Sequence, residues 1–359
     1  MQAEKYFFVS CSAEDSEKVF EILGRLQAEG FKFYCDTEKI SNCAGVIAFH
    51  SQSSKKSERC KEEIFLARHE KFNKSFISVY LDEVELSLGI KMTLIRFPSI
   101  KFYEYTDKEN FYSDLKNKIN ETFSLTGQAG SFLDKIPPVA VAGGIALGGV
   151  IFNEEDKPKD KKNWFSSLLS KFINILPAES ADDEDLKPEP VESPAPKISR
   201  AELELKMETD LKPYEGAEPF VFISYSHKDV ENVFNILSEL KKSGLRFWYD
   251  KGIEHGASWL DCIAEHIQNC ASVIAFHSQN SKYSEHCKDE ISFARDRENN
   301  KKIISIYLEN VNLSPGIKLA VHRFQAINFY EYPAAEKNNF YSKLTATKLL
   351  KPCFSVKEV

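Results

Sequence analysis

The sequence predicts an α/β protein in which a parallel five-stranded sheet, with helices on both faces, occurs twice. Short runs of β-branched and aromatic residues alternate with segments of helical periodicity, which is the pattern of strand–helix–strand units. The same succession recurs at a nearly constant spacing along 359 residues, a length sufficient for two domains. We therefore expect two folded units rather than one large one.

The repeat is visible in the letters of the sequence. FFVSCSAED matches VFISYSHKD at an offset of 214 residues, NCAGVIAFHS matches NCASVIAFHS at an offset of 227, and FYEY occurs in both halves. The offsets differ by 227 − 214 = 13, so the first repeat lacks thirteen residues between Asp36 and Asn42. The first repeat is therefore expected to be a shortened version of the second.

The second repeat shows each element in turn. Buried strands are predicted at 219–226, 245–250, 271–278, 302–308 and 326–332. Helices are predicted from Val230 until Gly244 ends the helix, over 259–270, around Glu290 and from near Glu336. Such alternation predicts a flavodoxin-like parallel sheet, whose ligands bind at the carboxyl ends of the strands.

The sequence divides into three parts with distinct compositions. Residues 1–124 form the shortened repeat, 125–216 a linker, and 217–350 the complete repeat. Within the linker, the segment 179–196 is acidic and rich in proline and is predicted to be disordered.

Two linker segments raise the question of a membrane. Residues 136–152 are apolar and uncharged, at the lower length limit of a membrane span, and 164–176 are amphipathic. A single span would put the two repeats on opposite sides of the membrane. We therefore favour a membrane-associated or self-packing linker over a true span, in a cytoplasmic protein.

Composition excludes some classes of function. A net charge of −7 and a pI near 5.8 argue against nucleic-acid binding. The eight cysteines form neither CxxC pairs nor a His/Cys cluster with zinc-ligand spacing, so we expect reduced thiols and no metal site. The chain has no GxGxxG motif, which argues against a dehydrogenase.

Four motifs of the second repeat, in order, resemble a Toll/interleukin-1 receptor (TIR) domain of the bacterial type. They are FISYSHKD, FWYDKGIEHGASWLDCI, VIAFHSQNSKYSEHCKDE and KIISIYL, and the resemblance covers Pro219 to about Leu344. The first repeat resembles the same domain over Glu4 to about Phe123, without the loop and helix after its second strand. The resemblance implies self-association through TIR domains. It also implies, for many members, cleavage of NAD+ at the nicotinamide–ribose bond by a glutamate on the helix after the third strand, which is Glu290 here.

The residues around Glu290 are compatible with that role. Its helix is predicted to be capped by Ser284 and to bury Cys287 and Ile291, which places Glu290 about 60° from the apolar stripe. A carboxylate there is partly desolvated yet accessible from the cleft. The alternative is that Glu290 merely solvates the flank of a helix.

The resemblance implies further residues of an NAD+ pocket: Tyr225, Ser226, His227, Gly256, Ser258, Trp259 and His286. Trp259 or Trp248 is a candidate for stacking on a base, although each is equally suited to the core. Enzymes of the family often carry tryptophan four residues before the glutamate, where this chain has His286 and, in the first repeat, Arg59. This departure puts nicotinamide stacking in question.

The sequence is compatible with two functions. The first is an NAD+ hydrolase, with a linear or cyclic ADP-ribose product, activated by TIR self-association, with NAD+ as substrate and no cofactor. The second is a non-catalytic adaptor that acts by homotypic TIR–TIR interaction. Glu290 and the intact 251–258 loop favour the first, whereas His286 and the shortened repeat favour the second. The first repeat keeps Glu63 but lacks one wall of the pocket, so we expect it to be inactive and to act as a docking or regulatory partner.

Overall fold

The computed structural model describes residues 5–69, 71–123, 211–250 and 257–355, which form two parallel five-stranded sheets. We call residues 5–123 the first unit and 211–355 the second unit. In each unit the strands follow the order 2-1-3-4-5, counted along that unit. This is the flavodoxin-like order, so the predicted fold class is confirmed. The linker segments 136–152, 164–176 and 179–196 lie outside the described residues.

The elements of the first unit alternate between strand and helix. In chain order they are β1 (Phe7–Ser10), α1 (Ser16–Ala28), β2 (Phe33–Tyr34), β3 (Gly45–His50), α2 (Gln52–Lys56), α3 (Glu58–Arg68), β4 (Phe76–Tyr80), α4 (Leu88–Leu94), β5 (Ser99–Lys101) and α5 (Lys108–Thr122).

The second unit repeats this order with one additional helix. Its elements are β6 (Val221–Ser224), α6 (Val230–Lys242), β7 (Phe247–Tyr249), α7 (Ala257–Asn269), β8 (Ser272–His277), α8 (Gln279–Tyr283), α9 (Glu285–Arg295), β9 (Ile303–Tyr307), α10 (Pro315–Val321), β10 (Ala326–Asn328) and α11 (Lys337–Thr345).

Successive side chains of the central strands point to opposite faces of the sheet, so each core has two layers. In β6, Val221 and Ile223 pack in the layer that includes α6 and α11, whereas Phe222 packs on the opposite face with α7, α9 and α10. All four residues of β6 are buried because helices cover both faces of the sheet. The carboxyl ends of β6, β7 and β8 consequently meet at one edge, beside the first turns of α7 and α9.

The additional helix accounts for the difference between the units. Between β2 and β3 the first unit has only a short 3-10 helix, Thr37–Asn42, whereas the second unit has α7, which is 13 residues long. Too few residues connect β2 to β3 to form such a helix and the loop that precedes it. On this side of the sheet, the described part of the first unit has only α3 and α4 where the second unit has α7, α9 and α10.

The first unit packs against the second through α4, which lies across α7 and α9. Met92 of α4 and Phe65 of α3 are buried in the apolar core of the second unit, beside Leu260. The backbone N–H of Gly89 donates a 2.6 Å hydrogen bond to the Asp261 carboxylate. A β-carbon at Gly89 would lie 2.6 Å from the backbone nitrogen of Asp261, so glycine permits this close approach of two helices.

A cluster of charged side chains also contributes to the contact between the two units. Arg68 and Arg96 of the first unit lie 2.6 Å from separate oxygens of Asp289, and both also pair with Glu285. Arg68 and Asp289 are nearly inaccessible to solvent, with side chains 4% and 7% exposed. Buried charges are tolerated because each has a close partner of opposite sign. The cluster thus fixes the position of one unit relative to the other.

Replacing Arg68 with methionine is expected to destabilise the chain, because it removes one of the two cations facing Asp289. Loss of one partner from a buried ion pair costs about 3–5 kcal/mol, and the remaining Arg96 favours the lower end of that range. Urea denaturation followed by circular dichroism measures the change. Arg295→Met is the matched control, since Arg295 holds the same position in the second unit but bonds within its own unit to Asn300 and Lys301. Equal losses in the two variants would contradict a stabilising role for the inter-unit cluster.

Among the described residues, no helix is both long enough and apolar enough to cross a membrane.

Candidate active site

Glu290 lies on α9, at the edge of the sheet where the strands of the second unit end. The Ser284 hydroxyl accepts a hydrogen bond from the backbone N–H of Cys287 at 3.3 Å and so begins the helix, as its position in the sequence predicts. Cys287 and Ile291 are buried in the expected stripe. Glu290 is only 7% exposed, which is deeper than the rim position that helical periodicity predicts.

The Glu290 carboxyl group has one close polar partner from the sheet. The hydroxyl of Ser224, the last residue of β6, donates a 2.6 Å hydrogen bond to Oε2 of Glu290. Burial raises the pKa of Glu290 from 4.5 to about 8, and the Ser224 hydrogen bond only partly opposes this rise. At neutral pH the group is therefore mostly a neutral acid.

Asp250, directly after β7, connects the loops around this carboxyl group. Its carboxylate accepts a 2.9 Å hydrogen bond from Nε1 of Trp259 and lies 3.1 Å from Nε2 of His227. Its backbone carbonyl accepts a 3.0 Å hydrogen bond from the hydroxyl of Tyr225. Asp250 therefore holds the β6–α6 turn and the first turn of α7 beside Glu290.

Two aromatic side chains form one wall of the site. The rings of Trp259 and His286 meet edge to face with centroids 5.9 Å apart. Trp259 also meets Phe65 of the first unit, with ring centroids 6.4 Å apart. Trp248, the alternative stacking residue, instead stacks on His266 at 3.9 Å within the core. The first unit thus supports the aromatic wall of the second.

Of the remaining predicted site residues, the structure describes some fully and others not. Tyr225 and Ser226 are buried, and Ser226 precedes the 3-10 helix His227–Asp229 without capping it through its side chain. Gly256 lies outside the described residues, as does the side chain of Ser258.

The sequence did not single out Asp250 or Ser224 as site residues. A signal was nevertheless present, since Asp250 ends a predicted strand and both residues have counterparts in the first repeat, Asp36 and Ser10. What identifies them is the three-dimensional contact with Trp259 and Glu290, residues distant from them in the chain.

The first unit has the same carboxyl group in a different electrostatic setting. Glu63 is 1% exposed and accepts a 2.7 Å hydrogen bond from Ser10, as Glu290 does from Ser224. Its other oxygen lies 2.7 Å from Nε of Arg59, one helical turn earlier. His286 holds the position of Arg59 in the second unit, and no ion pair among the described residues includes Glu290. One carboxyl group is thus bound to a cation and the other is not.

A surface cavity of about 670 Å³ opens at the opposite edge of the second sheet, where Phe220 and Ala271 precede β6 and β8. Parallel sheets bind their ligands at the carboxyl ends of the strands. We therefore place the candidate site at Glu290 rather than in this cavity. Within the described ranges, no group of three or more His, Cys, Asp or Glu side chains is arranged to hold a metal ion.

Fold and site together define the second unit as a flavodoxin-like domain with a buried carboxyl group at the ligand-binding edge of its sheet. Residues 221–345 match the family model of the TIR domain. The match spans about a third of the chain and places one TIR domain within the second unit. The first unit has a similar α/β fold without a match to that family model. No curated protein matches the chain.

Proposed function

We propose that the second unit is an NAD+ hydrolase that cleaves the bond between nicotinamide and ribose. The observation that carries the proposal is Glu290, a buried carboxyl group at the carboxyl ends of β6 and β8 beside Trp259 and His286, with no ion pair to any residue that the structure describes. Buried carboxyl groups with strongly shifted pKa values at such positions are typical of catalytic sites.

The chemistry requires only one carboxylate. The bond between C1′ of the ribose and N1 of nicotinamide breaks with its electron pair going to nitrogen, which converts the cationic pyridinium into neutral nicotinamide. Positive charge then develops on the ribose ring, and an adjacent carboxylate anion stabilises it. Water attacks C1′ and loses a proton to give ADP-ribose, or a nucleophile within the substrate attacks to give a cyclic product.

The neighbouring side chains supply the binding functions in this proposal. Trp259 and His286 offer ring faces and edges against which a planar base packs. Asp250 positions His227 and Trp259 and adds negative charge near the cationic substrate. A cationic ring beside Glu290 favours the carboxylate form, so substrate binding itself promotes ionisation of the group.

The proposal assigns no catalysis to the first unit. Glu63 is paired with Arg59, and the described residues of the first unit include no counterpart of α7 or of Trp259. The first unit is proposed to be a degenerate TIR-like domain that acts as a partner of the second.

Incubation of the concentrated full-length protein with NAD+ tests the proposed activity, with release of nicotinamide as the measured quantity. Glu290→Ala is expected to lower the rate by about 100-fold or more, since it removes the transition-state anion. Glu63→Ala is the matched control, because it removes the equivalent carboxyl group of the first unit, and it should leave the rate unchanged. No nicotinamide release by the wild-type protein would refute the hydrolase, and release that persists in Glu290→Ala would refute the role of Glu290.

The second candidate function is a non-catalytic adaptor that acts through TIR–TIR contacts. The contact between the units favours it, because this contact buries Phe65 and Met92 and pairs four charged side chains without any need for a substrate. In the NAD+ experiment an adaptor gives no nicotinamide at any protein concentration.

A further inference from the structure

The first unit covers one particular surface of the second. We call this surface the acceptor face, the outer side of α7 and α9 defined by Leu260, Asp261, Glu285 and Asp289. The first unit contacts it with a docking face formed by Phe65, Arg68, Gly89, Met92 and Arg96. The contact is not two-fold symmetric, because α4 meets α7, a helix that has no counterpart in the described part of the first unit.

The second unit carries its own version of the docking face. LSLGIKMTLIRF at 86–97 aligns with LSPGIKLAVHRF at 313–324 at the 227-residue offset of the repeat. The three positions of α4 and the following turn that contact the second unit are Gly89, Met92 and Arg96, and their counterparts are Gly316, Leu319 and Arg323. We call these three counterparts the α10 face.

The α10 face is open in the structure. Met92 is 3% exposed against the second unit, whereas Leu319 is 72% exposed, the largest exposed fraction among the described exposed apolar side chains. A β-carbon at Gly316 would meet no atom within 4 Å, in contrast to Gly89. Arg323 is exposed, and no ion pair among the described residues includes it.

We propose that the α10 face binds the acceptor face of a second copy of this chain, and that the first unit blocks this assembly by occupying the acceptor face of its own chain. Charge complementarity selects the partner, because Arg323 corresponds to Arg96, which pairs with Glu285 and Asp289. Glycine at 316 permits the same close helix approach that Gly89 makes to Asp261. Contacts between two different faces of one domain repeat head to tail and produce rings or open filaments.

The first unit suits this role because it can end an assembly but cannot extend one. It presents a docking face, but without a counterpart of α7 its described residues form no acceptor face. The units are also parts of one chain, so the contact within a chain competes at an effective concentration on the order of millimolar. Ser292 stands where the first unit has Phe65, so the α10 face lacks one apolar anchor. Both differences favour binding of the first unit to the acceptor face of its own chain over binding of a second copy.

Gly89→Val tests the proposal, with the molar mass of the full-length protein measured by light scattering after size exclusion. A β-carbon at Gly89 cannot fit against Asp261, so Gly89→Val is expected to release the acceptor face and to convert a monomer into higher-order species. The matched substitution Gly316→Val, added to Gly89→Val, is expected to restore the monomer, because it places the same bulk on the α10 face. Arg96→Glu is a second way to release the first unit, and Arg323→Glu is its matched reversal.

The outcomes separate the possibilities. If both releasing variants remain monomeric at concentrations of tens of micromolar, the proposal is wrong. If they associate but Gly316→Val and Arg323→Glu do not reverse the association, another surface is responsible and the proposal is equally wrong. Reversal also distinguishes specific assembly from aggregation of a misfolded first unit, since neither exposed substitution repairs misfolding. Mass is measured without NAD+, so this result is independent of the proposed hydrolase.

Discussion

His286→Arg is expected to lower the rate of nicotinamide release by about 100-fold or more. The first unit shows the reason, because Arg59 lies one helical turn before Glu63 and holds its carboxylate at 2.7 Å. The same spacing separates 286 from 290 on α9. An arginine there is expected to bind Oε1 of Glu290 and to place a positive charge where the cationic nicotinamide ring would pack. The carboxyl group would be bound to the guanidinium and unavailable to the substrate.

The rate of nicotinamide release by His286→Arg, at saturating and at low NAD+, checks this expectation. His286→Gln is the matched control, since it removes the imidazole without adding a charge and should retain more activity than the arginine variant. Arg59→His makes the reverse exchange in the first unit and should leave the rate unchanged. A His286→Arg protein that is folded and as active as the wild type would exclude cation pairing as the difference between the two carboxyl groups.

The rate of NAD+ cleavage is expected to rise with pH up to about 8. Burial raises the pKa of Glu290 to about 8, so the carboxylate fraction of the free enzyme grows about tenfold per pH unit below that value and levels off above it. The profile of kcat/KM reports this free-enzyme group. The profile of kcat should bend at lower pH, because the bound cationic ring stabilises the anion. Initial rates between pH 5 and 9.5 measure both.

The same titration affects stability in the opposite sense. The folded-state pKa of Glu290 lies above its unfolded value of 4.5, so the folded state binds the additional proton between pH 4.5 and about 8. The stabilisation from this neutral acid is complete below about pH 4.5 and is lost as pH rises through about 8. Glu290→Gln remains neutral at all pH values and should show a smaller decline in unfolding free energy over that window. Identical declines in the two proteins would mean that Glu290 titrates normally.

Several features of the site follow from sequence patterns alone. Ser284 precedes a run of helical periodicity, and the structure shows its hydroxyl capping α9. Cys287 and Ile291 occupy the buried stripe because residues three to four apart share a helix face. These are local regularities, decided by neighbours in the chain, and they locate Glu290 at the ligand-binding edge of a parallel sheet.

The depth and charge of that carboxyl group do not follow from local pattern. Helical periodicity places Glu290 at the margin of the stripe, yet it is 7% exposed because Ser224, from a strand 66 residues earlier, lies beside it. Helical periodicity shows which residues share a face of the helix, but it does not show which other elements pack beside that face. Trp248 and Trp259 were equivalent in the sequence for the same reason. Only the packing of Trp248 on His266 separates them.

The sequence by itself determined that this protein repeats one α/β design twice, that the second repeat resembles a TIR domain, and that the first is short by thirteen residues. Only the tertiary structure decided how the repeats meet. Gly89, Met92 and Arg96 are buried against the second unit, whereas Gly316, Leu319 and Arg323 are open, although both sets come from nearly the same stretch of sequence. The physical reason is that burial and ion pairing depend on surfaces brought together from distant parts of the chain, which local sequence does not encode.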